Sequence, residues 1–309
     1  MRLKADLTLF LVSIIWGTAF VAQRIAGQQD SVYLFNGLRY LLAAIIVLPF
    51  ALRISRTPRL RRASRSSTYT IPRKQYKWML VAGFLLFIGS ALQQAGVVYT
   101  TAGNAGFLTS LYVVLIPIVL LLFWKEKPHW LAVLAAGLAV AGAFLLSTGG
   151  QFAIHAGDAL ELIGALFWSL HVIVLGKVAS RYEAMSFSAG QLAICGLLNF
   201  GVGIFVEPLQ SINNLALLGA IVYTAVFSLG IAYTFQVWAQ RHTPPADAAL
   251  ILGLESVFSV ISGWIILREG LAAIQILGCG LILFAVLLSQ LKQWNTSGKI
   301  ERESLVEGR

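Results

Sequence analysis

Apolar stretches of about 20 residues, separated by short polar segments, constrain the fold of this chain more than any other feature. A helix that crosses the hydrocarbon core of a bilayer needs about 20 predominantly apolar residues. Charged residues make up only 12% of the 309 residues, against about 25% in soluble domains, so water cannot be the main solvent of the surface. We therefore predict an all-α, polytopic membrane protein with ten transmembrane helices. The predicted spans are 6–26, 32–52, 78–98, 104–123, 129–148, 157–176, 185–206, 215–238, 246–266 and 271–291.

The distribution of basic residues predicts the orientation of these spans. Most of the 23 lysines and arginines lie before the first span or after every second span. Because such basic segments stay in the cytoplasm, both termini are predicted to be cytoplasmic. The loop 53–77 is the most basic of these segments, and we expect it to contact anionic lipid headgroups. A basic run also allows a nucleic-acid interpretation, but it is a weak signal, and we expect no nucleic-acid partner.

An internal repeat divides the chain into two related halves. Residues 104–126 align with residues 247–269 at a shift of 143, and a shift of 152 pairs Trp16 with Trp168. Five spans per half is an odd number, so the second half is predicted to enter the membrane from the opposite side. Such inverted-topology repeats recur in secondary transporters, with the binding site near the midplane. The predicted division is a first five-helix repeat over 1–150, a second over 151–292, and a disordered cytoplasmic tail over 293–309.

Several motifs resemble the drug/metabolite transporter superfamily, in its EamA-like branch of ten-helix exporters. The resemblance extends over 6–291 and implies a central cavity gated by two helix bundles. This chain departs from the family pattern at Ser256, where the family usually has proline. The helix kink that this proline would cause is therefore in doubt. The motifs that carry the resemblance are Trp16–Gly17, the run 38–44 around Arg39, the run 103–112 with Pro117, and the run 254–258 closing on Arg268–Glu269.

Glu255 is the clearest candidate for a functional residue, because charges inside the bilayer cost about 2.5–3.5 kcal/mol on insertion scales. It is interpreted either as a proton-coupling carboxylate or counter-charge for a substrate amine, or as a protonated acid bonded to a neighbouring helix. Ser259 follows four residues later and shares its helical face. The repeat places Tyr112 at the depth of Glu255 in the first half.

The remaining site candidates are an arginine, a glutamine and aromatic residues. Arg39 could extend its side chain to the interface, pair with Glu255, or bind a substrate carboxylate, and Gln191 is its repeat counterpart. Trp168 and His171 share a face of the sixth span, and Trp16 is the counterpart of Trp168. These rings are interpreted as walls of a metabolite cavity, with His171 as a proton relay, or as helix packing.

The function predicted from these features is a secondary transporter that moves a small metabolite, an amino acid or a drug-like compound, across the bacterial cytoplasmic membrane. Alternating access and export are favoured, and an importer of the same fold is the alternative. An intramembrane enzyme or a membrane scaffold is a remote alternative, since convergent catalytic groups and a soluble domain are both missing from the sequence. No GxxxxGK[ST] loop occurs, which argues against direct use of ATP. We expect no cofactor, metal or catalytic residue, and a monomer or homodimer.

Overall fold

The computed structural model describes residues 1–29, 31–55, 73–148, 157–208, 215–268, 270 and 272–288, and within them only helices and turns occur. Eight of these helices are long and apolar enough to cross a membrane, and two shorter apolar helices accompany them. Numbered in chain order, they are α1 (Arg2–Gly27), α2 (Tyr33–Ser55), α3 (Arg73–Val97), α4 (Ala102–Trp124), α5 (Trp130–Thr148), α6 (Asp158–Val178), α7 (Ala184–Val206), α8 (Leu215–Ala239), α9 (Pro245–Leu267) and α10 (Ala273–Leu288).

The surface of the bundle is largely apolar, and polar side chains are buried among the apolar ones of its interior. Phe123 and Phe205 expose 75% and 86% of their surface, whereas Gln94, His171 and Asn199 are completely buried. Soluble proteins rarely expose large contiguous apolar surfaces, and a lipid environment requires every backbone polar group to be bonded within helices. The chain is therefore a multi-pass membrane protein.

Polar side chains fix the ends of several helices. Thr101 accepts a hydrogen bond from the backbone of Asn104 and caps α4, and Glu183 caps α7 in the same way. Glu207, which follows α7, accepts hydrogen bonds from three backbone amides at the start of α2, at 2.7–3.0 Å. A negative charge is favourable at a helix N-terminus, so this contact fastens the second half of the chain to the first.

Helices α4 and α9 are both interrupted near their middle, although the sequence predicted continuous spans. The break falls at Leu111 in α4 and at Gly253–Leu254 in α9. Leu111 and Leu254 are 143 residues apart and adopt the same backbone angles, φ −60° and ψ −14°. No proline is required in α9, where Ser256 Oγ donates to the carbonyl oxygen of Gly253 at 2.8 Å.

The ends of these two helices are also equivalent. Lys125 and Arg268, again 143 residues apart, have φ of 57° and 56°, and they are the non-glycine residues with positive φ in the part of the chain that the structure describes. L-residues adopt this left-handed conformation uncommonly. Its recurrence at aligned positions supports duplication of one structural unit.

Several helices of one predicted half pack against helices of the other half. Helix α1 packs against α8 and α9, and its counterpart α6 packs against α3 and α4. Helices α2 and α7 are counterparts and pack against each other. The contacts have the pattern of a two-fold arrangement, and the opposite orientation of the halves and the cytoplasmic position of the termini remain predictions.

The basic loop is shorter than predicted, because α2 continues to Ser55 and α3 begins at Arg73. The remaining stretch, 56–72, and the tail 293–309 lie outside the described residues. The predicted contact with anionic lipid and the predicted disorder of the tail therefore stay predictions.

Candidate functional site

A central cavity lies where helices of both halves meet. The space inside the cavity and its opening together is about 490 Å³. Seven helices contribute to it, namely α1, α2, α3, α4, α6, α8 and α9. Its lining residues are Trp16, Ala19, Phe20, Gln23, Arg39, Tyr40, Gln93, Thr109, Tyr112, Trp168, Val172, Ser228, Leu229, Tyr233, Gln236 and Glu255.

The breaks of α4 and α9 place their following side chains on the cavity wall. Glu255 is the first residue after the break of α9, and Tyr112 is the first after the break of α4. Glu255 is only 3% exposed, and its carboxyl interacts electrostatically with the Tyr112 phenol. Neither Glu255 Oε1 nor Tyr112 Oη has a hydrogen-bond partner of normal geometry. These two polar side chains therefore lie next to each other on the cavity wall.

Arg39 brings a positive charge to the same cavity. Its Nε donates to Asn36 Oδ1 at 3.0 Å, its Nη2 donates to Gln23 Oε1 at 3.4 Å, and its guanidinium lies 4.7 Å from the centre of the Phe35 ring. It is 2% exposed, so its side chain does not extend to the interface. Among the described residues, no acidic side chain pairs with it, and Glu255 does not.

Aromatic rings form a continuous wall between these polar groups. Tyr233 lies 5.1 Å from Trp16 and 6.5 Å from Trp168, measured between ring centres. The Trp16 indole donates to the carbonyl oxygen of Ser228 at 2.9 Å. Ser228 lies within a π-helical segment of α8, Thr224–Ile231. Such segments are frequent at functional sites.

Three of the predicted residues do not line the cavity. His171 is buried behind the aromatic wall, where its Nε2 bonds Gln191 Oε1 at 3.0 Å. Ser259 packs against Gly106 and donates to the carbonyl oxygen of Ser256. The structure therefore separates the eight candidates into a cavity group of Glu255, Arg39, Tyr112, Trp16 and Trp168, and a packed group of His171, Gln191 and Ser259.

Sequence reasoning did not select several cavity residues. Gln23, Gln93, Thr109, Tyr233 and Gln236 all line the cavity. Each is a polar or amphipathic side chain inside an apolar span, which is a signal of an interior position. That signal alone does not tell a cavity from a contact between two helices.

An ionic cluster of Arg2, Asp6, Thr243 and Asp247 joins the two halves at one end of the molecule. Arg2 donates to Asp247 Oδ2 at 2.9 Å and to Asp6 Oδ1 at 3.0 Å, and Thr243 donates to Asp6 Oδ1 at 2.8 Å. Since α1 begins and α9 begins here, the cluster holds these two cavity-lining helices together.

At the opposite end, hydrogen bonds join separate helices. Arg24, near the end of α1, donates to the carbonyl oxygens of Val97 and Val98, both at 2.8 Å. Asn104 donates to Asp158 Oδ1 at 3.1 Å and joins α4 to α6. Polar contacts between separate helices thus close the bundle at both ends around the cavity.

Comparison with known proteins places the whole chain among transporters. A sequence profile of the EamA-like transporter family matches residues 3–148 and again residues 155–291. The two matches coincide with the predicted halves. This coincidence supports the internal repeat independently of the residue pairs quoted above.

Individual relatives extend over nearly the full length. A protein described as an uncharacterized transporter of Archaeoglobus fulgidus is 32% identical over 291 residues, covering 94% of this chain and 87% of its own. The uncharacterized inner membrane transporter YedA of Escherichia coli K12 is 26% identical and covers 93% and 90%. A crystal structure with 16% identity superposes with a TM-score of 0.75 over 94% of this chain and 99% of its own, which shows a shared fold.

Proposed function

The chain belongs to the EamA-like transporter family, and we propose that it is a secondary transporter that binds a small polar–apolar metabolite in the central cavity. The observation that carries this proposal is the presence of Arg39 and Glu255 in one cavity without an ion pair between them. A buried charge without a partner is costly. A solute that offers a complementary group to each side chain offsets that cost, and an amino acid or a similar amphipathic compound has such groups.

The aromatic wall supports a solute with an apolar body. Trp16, Trp168 and Tyr233 line the cavity together with Arg39 and Glu255. Such rings bind apolar groups and, through their π faces, also cations. The cavity therefore suits a molecule with charged ends and an apolar centre better than a small inorganic ion.

Alternating access is the mechanism that the arrangement favours. The cavity lies where the two halves meet, which is the position of the binding site in transporters built from inverted repeats. The ionic cluster at one end and the Arg24 and Asn104 contacts at the other are non-covalent, so either end can open while the other stays closed. Export is the direction that the family resemblance favours.

Transport by reconstituted protein tests this proposal. Purified protein in lipid vesicles is assayed for uptake and efflux of a panel of amino acids and related amphipathic metabolites, with and without a pH gradient. At least one solute is expected to move faster than in protein-free vesicles, and Glu255→Gln and Arg39→Ala are expected to slow it. Glu126→Gln is the matched control, because Glu126 is exposed and pairs with Lys177 away from the cavity.

The outcomes separate the two parts of the proposal. If no solute of the panel moves, the transport function is wrong for this class of compound. If a solute moves equally well in the wild type, Glu255→Gln and Arg39→Ala, the function stands and the assigned cavity is wrong. Efflux from inside-out and right-side-out membranes under opposite gradients distinguishes export from import.

A further inference from the structure

Glu161 is another buried carboxyl, and it lies outside the cavity lining. It belongs to the first turn of α6 and is 1% exposed. A side chain at Gly96 of α3 would clash with it, since a Cβ there would lie 2.6 Å from Glu161 Cγ. A carboxyl in the first turn of a helix is favourable by about 0.3–1 kcal/mol. That benefit does not require the carboxyl to be enclosed by protein.

A hydrogen-bond chain connects Glu161 to the cavity. Gln93 Nε2 donates to Thr109 Oγ1 at 2.9 Å, and Thr109 Oγ1 donates to Glu161 Oε2 at 3.3 Å. An amide nitrogen can only donate, so the Thr109 hydroxyl accepts from Gln93 and directs its own proton to Glu161. Gln93 and Thr109 both line the cavity. Glu161 is therefore one hydrogen bond away from the proposed solute site.

The second oxygen of Glu161 is available for a proton. Glu161 Oε1 is buried and has no hydrogen-bond partner. Asp158, three residues earlier on the same face, lies at the partly exposed start of α6 and acts electrostatically on Glu161. Among the described residues packed around it, α3 and α4 present neutral groups, Gln93 and Thr109, so Asp158 is the charged neighbour.

We propose that Glu161 is a proton-binding site that couples proton occupancy to the donor groups of the transport cavity. A proton from water at the Asp158 end binds Glu161 Oε1 and converts the carboxylate into a carboxylic acid. The ionised form holds the Thr109 hydroxyl as its donor. The neutral form accepts more weakly, which releases Thr109 to donate to a solute in the cavity. The ligand of this site is a proton, and the coupling to transport rests on the proposed function.

Infrared spectroscopy tests proton binding without any solute. Difference spectra of the full chain in lipid vesicles are recorded between high and low pH. A carboxylic acid C=O band is expected in the wild type and is expected to be missing in Glu161→Gln. The band is expected to shift in Thr109→Val and to be restored in Thr109→Ser. Glu126→Gln is the control variant. If Glu161→Gln shows the same carboxylic acid band as the wild type, the proposal is overturned.

A transport ratio tests the coupling. Solute exchange at equal pH is compared with net movement driven by a pH gradient, and the ratio of driven to exchange transport is taken for each variant. Loss of a charge-assisted hydrogen bond changes an equilibrium constant by about tenfold or more. The ratio of driven to exchange transport is therefore expected to fall at least about tenfold in Glu161→Gln and to stay constant in Glu126→Gln. Equal ratios in the wild type and Glu161→Gln would overturn the coupling.

The two assays keep the failures apart. Absence of exchange and of driven movement in the wild type contradicts the transport proposal, and the infrared band then decides alone whether Glu161 binds a proton. Exchange without any response to pH in the wild type contradicts the coupling and leaves the transport function intact.

Discussion

Helices α4 and α9 have similar backbones at their breaks and differ in the side chain that each presents to the cavity. Leu111 and Leu254 interrupt them with the same φ and ψ. Directly after the break, α4 places the neutral phenol of Tyr112, and α9 places the carboxyl of Glu255. The backbone is similar on the two sides of the cavity, and the different side chains make the cavity electrically asymmetric. In the proposed transport cavity, this asymmetry is expected to determine which solute binds.

The tryptophans related by the repeat show the same divergence. The Trp16 indole donates to the carbonyl oxygen of Ser228, whereas the Trp168 indole nitrogen is buried without a partner. Both rings line the cavity. Buried polar atoms without partners are rare, so the two N–H groups differ: the protein bonds that of Trp16 and leaves that of Trp168 unbonded.

The largest expected effect is the difference in solute exchange rate between substitutions of Glu255 and of Tyr112. Removal of a hydrogen bond to a charged group costs about 1.5–3 kcal/mol, so Glu255→Gln is expected to slow exchange of a transported solute about tenfold to a hundredfold. Tyr112→Phe removes a neutral hydroxyl and is expected to slow it less than about tenfold. The measurement is initial exchange rate in vesicles at matched protein content. Equal losses in the two variants would mean that the cavity is functionally symmetric.

The next effect compares two helix crossings related by the repeat. A Cβ at Gly17 of α1 would lie 2.8 Å from the Glu255 carbonyl oxygen of α9, whereas the counterpart of Gly17 in α6 is Ser169, a buried residue that already has a side chain. Overpacking costs about 1–3 kcal/mol, so Gly17→Ser is expected to lower the free energy of unfolding by that amount.

The control for this crossing is a glycine without neighbours. A Cβ at Gly137 would meet nothing within 4 Å, so Gly137→Ala is expected to leave stability unchanged or to raise it by about 0.5–1 kcal/mol. Thermal unfolding in detergent measures both variants. If Gly17→Ser is as stable as the wild type, the α1–α9 contact is looser than the structure indicates.

A smaller effect distinguishes the two tryptophans. Trp16→Phe and Trp168→Phe remove similar ring area, but only Trp16→Phe breaks a hydrogen bond within the protein. We expect Trp16→Phe to destabilise the fold by about 0.5–1.5 kcal/mol more than Trp168→Phe does. Unfolding midpoints of the two variants in the same detergent provide the comparison. The reverse order would show that Trp168 has a structural partner.

The smallest expected effect concerns ion pairs at one end of the bundle. The side chains of Arg2 and Asp247 are 29% and 6% exposed, while those of Lys177 and Glu126 are 36% and 50% exposed. Exposed pairs contribute about 0–1 kcal/mol. A double-mutant cycle with Arg2→Gln and Asp247→Asn, measured as free energies of unfolding, is therefore expected to give a coupling energy of about 1 kcal/mol. The same cycle on Lys177 and Glu126 is expected to give less than half of that.

Much of the fold could be predicted from the sequence, because lipid imposes a simple rule of length and polarity on helices. All ten predicted spans correspond to helices in the described part of the chain, although two of these are short. The interruptions of α4 and α9 were not predicted, since Leu111 and Leu254 have ordinary side chains and no proline follows Glu255. A change in backbone geometry at such residues depends on the helices packed around them.

The candidate site was predicted less completely. Glu255 and Arg39 were recognisable because an isolated charge in an apolar span is costly wherever it lies. His171 and Gln191 gave a similar signal, yet they bond each other outside the cavity lining, through His171 Nε2 and Gln191 Oε1. Glu161 was overlooked because its place near the start of α6 is also favourable for an ordinary surface carboxylate.

The sequence by itself determined that this chain lies in a membrane and which segments are apolar enough to cross it, and it predicted two related halves, because hydrophobic length and residue spacing are local properties. The tertiary structure alone decided which polar side chains share a cavity and which are bonded to each other. That assignment depends on contacts between helices as distant in sequence as α1 and α9, whose distances and rotations about their axes no local pattern records.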